Sequence, residues 1–149
     1  SRMIREAETW APGKAINIFA NRGLAGIDGT VATANGIAMA TKQKTRVLLG
    51  DLTLLHDAGS LALDPWYATP QNIQLIVVND NGGSIFESLE MRKTLDGPTF
   101  DRVFRTPQSV NIALLAAAYG WPHVTVETES QLRDVLESSD GRVLIEVLL

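Results

Sequence analysis

The chain is predicted to be an α/β domain, three α/β/α layers around a mainly parallel sheet. Three observations carry this. Short runs rich in Ile, Val and Leu alternate with helical stretches. The segments between those runs are long enough for the crossovers that parallel pairing demands. Leu75, Ile76, Val77 and Val78 are apolar at four consecutive positions, the pattern of a strand covered on both faces. At 149 residues the chain suits one domain and can bury a core without staples.

Strands are expected at residues 15–19, 45–49, 73–78, 123–126 and 142–148. Helices are expected at 30–41, 52–63, 111–119 and 129–138. The first helix carries Ala32, Ala34, Ala38 and Ala40, small side chains that allow close approach to a sheet. The last has Thr128 as N-cap, Gln131 three residues later to complete a capping box, and Gly141 just past its end. Residues 79–108 form the one long irregular stretch, with short helices near Glu87 and Phe100. A loop of that length in a compact domain is functional or mobile.

Composition excludes several classes of function. Seventeen acidic residues against 13 basic give a net charge of -4, which offers no positive field to nucleic acid or anionic lipid. The absence of cysteine removes disulfides, thiolate catalysis and cysteine metal sites, and is compatible with a cytosolic protein. His56 and His123 lie far apart in unlike contexts, so both are expected to be hydrogen-bonded structural groups rather than zinc ligands. Trp10, Trp66 and Trp121 read as core or interface aromatics. No apolar run approaches a spanning helix, and the charged start (Arg2, Arg5, Glu6, Glu8) is no secretory signal. The chain does not begin with Met, so further residues are expected upstream.

In an open parallel sheet, ligands bind beyond the carboxyl ends of the strands. The first such junction, Asn21-Arg22-Gly23-Leu24-Ala25-Gly26-Ile27-Asp28-Gly29-Thr30, has three glycines in seven positions and one permanent cation, Arg22. It is either a plain turn with a solvated Arg or a place where a ligand approaches the main chain, and the helix N-terminus after it favours an anion. The second, Gly50-Asp51-Leu52-Thr53, opens a helix that Asp51 alone could cap. The third, Asn79-Asp80-Asn81-Gly82-Gly83, is a burst of oxygen-bearing side chains after the most apolar strand. Asp80 follows Asp51 by 29 positions, about one βαβ unit, so neighbouring strands would deliver both carboxylates to one edge. Such a pair repels unless a cation lies between, and oxygen-only ligands select a hard ion such as Mg²⁺. The Gly82 carbonyl adds a third oxygen. The combined site reads as a Mg²⁺ clamp for a diphosphate, with the Leu52 and Thr53 amides as donors to the anion.

In these motifs the chain resembles the thiamine diphosphate enzymes, whose diphosphate-binding domain carries a Gly-Asp pair, a spacer of nearly this length and an Asn/Asp-rich sequence. Gly50-Asp51 and Asn79-Asp80-Asn81-Gly82 match that pattern, although Leu52 stands where Gly is usual and Asp80 where Asn is usual. The loop from Asn21 to Gly29, the segment from Gly50 to Asp57 and the run Asn81-Gly82-Gly83-Ser84-Ile85-Phe86 narrow the resemblance to the menaquinone-pathway synthases of that family. It spans nearly the whole chain.

The resemblance implies the thiamine diphosphate-binding fold, with thiamine diphosphate and Mg²⁺ (or Mn²⁺) as cofactors and Asp51, Asp80 and the Gly82 carbonyl as metal ligands. It implies Gly50, Leu52, Thr53, Gly83 and Ile85 as further cofactor contacts, and Ile27 as the apolar wedge that holds the cofactor bent. Arg22 would meet a carboxylate of the intermediate formed from 2-oxoglutarate. Ser1 and Arg5 would be substrate contacts. Ile85, Phe86 and Leu89 would line the apolar wall of the substrate cavity, with ordinary packing an equal reading of Leu89. The implied reaction decarboxylates 2-oxoglutarate and adds the resulting carbanion to isochorismate, in a cytoplasmic homo-oligomer, dimer or tetramer. Members of the family are several times longer, and the Glu that activates the cofactor lies in another domain. The chain is therefore expected to be a single C-terminal, diphosphate-binding domain, inactive alone, with exposed apolar surface near Trp66 and a tendency to self-associate.

Three rivals stay open. One keeps the cofactor and changes the reaction to that of another 2-oxoacid decarboxylase or an acetolactate synthase-like enzyme. Another is a Mg²⁺-dependent phosphoryl-accepting domain. That reading wants an acidic pair after the first strand, where the chain has Asn21-Arg22, and a Lys after a late one, where it leads to Glu127. The third is a noncatalytic remnant that only binds partners.

Overall fold

Four strands pair in parallel in the order β1-β2-β4-β3: β1 (Thr45–Gly50), β2 (Ile73–Asn79), β3 (His123–Val126) and β4 (Val143–Leu148). They come from a computed structural model that describes residues 3, 7, 9, 10, 12, 13, 16–21, 26–62 and 72–149. Each of the four lies within one residue of its expected bounds. The strand expected at 15–19 is not formed over its described residues, and Ile16, Ile18 and Phe19 are 65%, 77% and 64% exposed. Ile and Phe mark a segment that suits a pleated, half-buried surface, but a strand also needs a neighbour to complete its ladder. Among the described residues β1 pairs with β2 alone.

The three layers follow from crossover handedness. The chain steps one way across the sheet from β1 to β2 and on to β3, then back to β4. Right-handed connections put helices on one face for the first direction and on the other for the return. Helices α1 (Thr30–Thr41), α2 (Asp51–His56) and α5 (Ile112–Ala118) accordingly share a core with Leu49, Leu75, Val77 and Leu144. Helix α6 (Glu129–Ser138) packs Leu132, Val135 and Leu136 against Val126, Val143 and Ile145 on the opposite face. β2 is covered on both sides, as its apolar run requires. Its one buried polar residue, Gln74, serves the end of α6: its amide donates to Ser139 Oγ at 2.6 Å and to the Leu136 carbonyl at 3.3 Å. No described helix is long and apolar enough to cross a membrane.

Helix α1 has its expected bounds, but its N-cap Gly29 offers no side chain. The cap comes from 26 residues away, where Asp57 Oδ2 accepts from the Val31 amide at 2.7 Å and the Ala32 amide at 3.0 Å. Ser60 Oγ donates to the other oxygen at 2.6 Å. The expected anion at this helix start is thus a side chain of the protein itself. The same contact shortens the next element. Instead of one helix over 52–63, α2 stops at His56, Asp57 turns away to reach α1, and a 3₁₀ turn follows at Ala58–Leu61. The capping box of α6 forms as expected.

Between β2 and α5 the chain makes short turns rather than a long loop. They are a 3₁₀ turn (Ser84–Ser88), α3 (Met91–Thr94), α4 (Gly97–Phe100) and a π turn (Asp101–Arg105). Phe104 joins them, stacked on Phe100 at 5.6 Å and tilted against Phe86 at 5.9 Å. Trp121 is buried and its indole donates to the Leu61 carbonyl at 2.9 Å, whereas Trp10 is 77% exposed and Trp66 lies outside the described residues.

Replacing Asp57 by Ala strips two helix amides of their acceptor. The expected cost is about 1–2 kcal/mol of unfolding free energy, read as a lowered urea midpoint; an unchanged midpoint would show that the tie contributes nothing.

Candidate functional site

The β1–β2 register sets Gly50 beside Val78, so the two chains leave the sheet together. Asp51 is the residue after Gly50, and Asp80 follows Val78 by two. Gly50 is extended and caps α2, which turns Asp51 inward until it is 1% exposed. Its Oδ2 accepts from the buried Gly82 amide at 2.8 Å. The Leu52 amide and the Gln108 side chain also donate to it. All three donors are neutral. Burial is the main cause that pushes the Asp51 carboxyl above its ordinary value, and the charge of Asp80 pushes the same way against the three donors. The structure thus brings the two predicted carboxylates within electrostatic reach of each other.

The glycines that follow Asp80 have steric reasons. Gly82 has φ +122°, and a Cβ there would collide with the Arg105 carbonyl oxygen. A Cβ on Gly83 would lie 2.8 Å from the Phe104 carbonyl oxygen and 2.9 Å from the Phe86 ring. The Gly83 amide donates to the Arg105 carbonyl at 2.6 Å. The π turn therefore lies directly on the main chain of the loop, which any larger residue would prevent. Asn81, at φ +60°, accepts through Oδ1 from the Gln108 amide at 3.3 Å, and Ser84 Oγ donates to Asp80.

The other expected contacts divide. Thr53 is buried on α2, and Leu52 is half-buried with its amide already engaged by Asp51. Ile27 is half-buried in a loop closed by Asn21 Nδ2, which donates to the Asp28 carbonyl at 3.1 Å. Ile85 is half-buried, while Phe86 on the same 3₁₀ turn and Leu89 just past its end are 36% and 38% exposed. Ser1, Arg5 and Arg22 lie outside the described residues. Both described histidines have carboxylate partners, in line with structural roles: His56 Nδ1 lies 3.2 Å from Asp28 Oδ1, and His123 Nε2 lies 2.8 Å from Glu146 Oε2. Sequence reasoning missed Gln108, Asp57 and Glu146. Nothing in their spacing marks them, since each reaches its partner through the fold.

Among the described residues no group of three or more His, Asp and Glu gathers around a point. The available donor set is two carboxylates and backbone oxygen, which can hold a hard cation whose remaining positions come from a phosphate ligand.

The raised Asp51 value has a signed consequence for stability without added divalent ion. The folded chain holds its proton to higher pH than the unfolded chain, so stability falls as pH rises from the unfolded value near 3.8 through the folded one, and the loss is complete above it. Asp51→Asn removes the charge and keeps an acceptor for Gly82. It is expected to raise the urea midpoint at pH 7 without divalent ion and to lose that advantage in acid; a lower midpoint at pH 7 would contradict the assignment.

Comparison with known proteins places the chain in a family. Residues 6–147 match the family model described as thiamine pyrophosphate enzyme, C-terminal TPP binding domain. The chain is 49% identical over its whole length to the 2-succinyl-5-enolpyruvyl-6-hydroxy-3-cyclohexene-1-carboxylate synthase of Clavibacter michiganensis, and 48% identical to that of Leifsonia xyli. It spans 27% of the length of each. A thiamine diphosphate-dependent 4-hydroxybenzoylformate decarboxylase from Rhodococcus jostii shares the fold with a TM-score of 0.64 at 22% identity, over 80% of this chain and 22% of that one. The chain belongs to the thiamine pyrophosphate enzymes, as the C-terminal TPP-binding domain of that family.

Proposed function

We propose that the chain is the diphosphate-binding domain of a longer, cytoplasmic, homo-oligomeric synthase. That enzyme decarboxylates 2-oxoglutarate and adds the succinyl semialdehyde carbanion to isochorismate, using thiamine diphosphate and Mg²⁺. The observation that carries the cofactor reading is the Asp51 carboxylate, held by neutral donors and pushed up chiefly by its burial, with the charge of Asp80 acting the same way. A divalent ion bridging the two would remove that repulsion. An all-oxygen donor set suits Mg²⁺ with a diphosphate rather than a soft metal. The synthase names of the relatives support the choice of reaction. Exposed Ile16, Ile18 and Phe19 support the presence of further protein against this domain.

In this reading Asp51, Asp80 and the Gly82 carbonyl hold the ion, and Gly50, Leu52, Thr53 and Gly83 shape the diphosphate cradle. Ile27 and Ile85 give the organic part of the cofactor an apolar seat. When bound, thiamine diphosphate supplies the electron sink for decarboxylation. Arg22 holds the distal carboxylate of the 2-oxoglutarate-derived group through its planar fork, Ser1 and Arg5 contact substrate, and Phe86 with Leu89 forms the apolar wall. The activating Glu is supplied by another domain, so this chain alone is inactive.

Two measurements on the complete protein test the proposal. Asp51→Ala is expected to abolish Mg²⁺-dependent thiamine diphosphate binding in calorimetry, and unchanged affinity would remove the cofactor reading. Turnover of 2-oxoglutarate should exceed that of pyruvate; a clear preference for pyruvate would move the chain to the acetolactate synthase-like reading.

A further inference from the structure

A partly buried polar line crosses the sheet beside the candidate metal loop and has no part in the function described above. Glu146, on β4, is 8% exposed. Its Oε1 accepts from Asn79 Nδ2 at 2.7 Å and its Oε2 lies 2.8 Å from His123 Nε2. Asn79 is the last residue of β2, and its Oδ1 accepts from the Asn81 amide at 3.1 Å. The line therefore runs from His123 on β3, through Glu146 on β4 and Asn79 on β2, to the backbone of the loop that carries Asp80 and Gly82.

The chemistry of the middle group sets the direction of every bond. A carboxylate only accepts, so Glu146 requires a donor from Asn79 and a donor from His123. Asn79 must turn its NH₂ toward Glu146, which leaves its carbonyl oxygen facing the Asn81 amide. The reversed amide would set two acceptors against each other at Glu146 and two donors against each other at Asn81. We propose that Glu146 is a positioning residue for the metal loop: by accepting from Asn79 it fixes the orientation of that amide, which in turn shapes the turn from Asp80 to Gly82. The inference rests on the reading of Asp80 and Gly82 as metal ligands.

An exchange of chemical identity tests this in the complete protein, with Mg²⁺-dependent thiamine diphosphate affinity as the readout. In Glu146→Gln the new amide oxygen still accepts from Asn79 while its NH₂ donates to His123 Nε2 in the other tautomer, so this variant is expected to bind like the parent. Asn79→Asp sets two acceptors against each other and is expected to weaken affinity about tenfold or more. The double variant N79D/E146Q restores every bond. The new amide on β4 donates to the new carboxylate on β2 and accepts from His123, while that carboxylate accepts from the Asn81 amide. Its net charge equals that of the parent. Affinity of the double variant within about threefold of the parent supports the proposal, since groups in one network couple rather than add. An Asn79→Asp variant that binds like the parent, or a double variant as weak as Asn79→Asp alone, would overturn it. Should a single variant fail to fold, the double decides alone: folded with parental affinity it supports the proposal, and unfolded or without affinity it contradicts it. A parent that binds no cofactor in the presence of Mg²⁺ defeats the functional reading instead.

Discussion

A carboxylate taken almost wholly out of water beside a second one is unfavourable unless something in the site favours the charge. Asp51 is in that position, and the protein offers it only neutral donors: two amides and the Gln108 side chain. The arrangement raises the carboxyl and leaves electrostatic strain at the edge of the sheet. Much of the surrounding architecture keeps it there. Parallel pairing delivers Asp51 and Asp80 to one edge, the Gly50 turn buries the first, and Gly82 and Gly83 let the π turn pack on the main chain of the loop that follows the second. A site of this kind exchanges stability for binding: the ion that neutralises it also stabilises the folded chain by mass action.

Helix α2 connects this edge to the rest of the domain. It is only six residues long, about 9 Å by helical rise. Asp51 stands at its start, and Asp57, just past its end, holds the first amides of α1. The loop that presents Ile27 leads directly into α1. Asp51 and the loop that carries Ile27 are thus tied to the two ends of one short helix, and in the proposed function the two ends of the cofactor are seated on the two ends of this tie.

Much of this was legible in the sequence, for physical reasons that also explain what was not. β2 announced itself because a strand covered on both faces has few polar positions to blur its pattern. The start of α6 was readable because its capping chemistry is local, with Thr128 and Gln131 closing the box, whereas its end is capped by Ser139 and not by the expected Gly141. The two acidic motifs were legible because a βαβ unit has a characteristic length, so a spacing along the chain became a distance across the sheet. Interactions between residues far apart in sequence left no such trace. Asp57 looks like any surface Asp at a helix end, and only the fold reveals that it caps a different helix and cuts its own short. Glu146 sits in an apolar strand where its charge reads as a fault until Asn79 and His123 appear on either side. The strand expected at residues 15–19 failed for the complementary reason: its composition is suitable, but a strand is a property of two backbones, and the described sheet gives this one no neighbour.

The account stands or falls on the ion between the two acidic side chains. Anomalous scattering from crystals of the complete protein grown with Mn²⁺ and thiamine diphosphate locates that ion directly. The expected result is a single strong peak bonded to one oxygen each of Asp51 and Asp80 and to the Gly82 carbonyl, with diphosphate oxygens in the same sphere. Bound cofactor with the manganese elsewhere, or with no peak between those carboxylates, would contradict the assignment of this edge of the sheet.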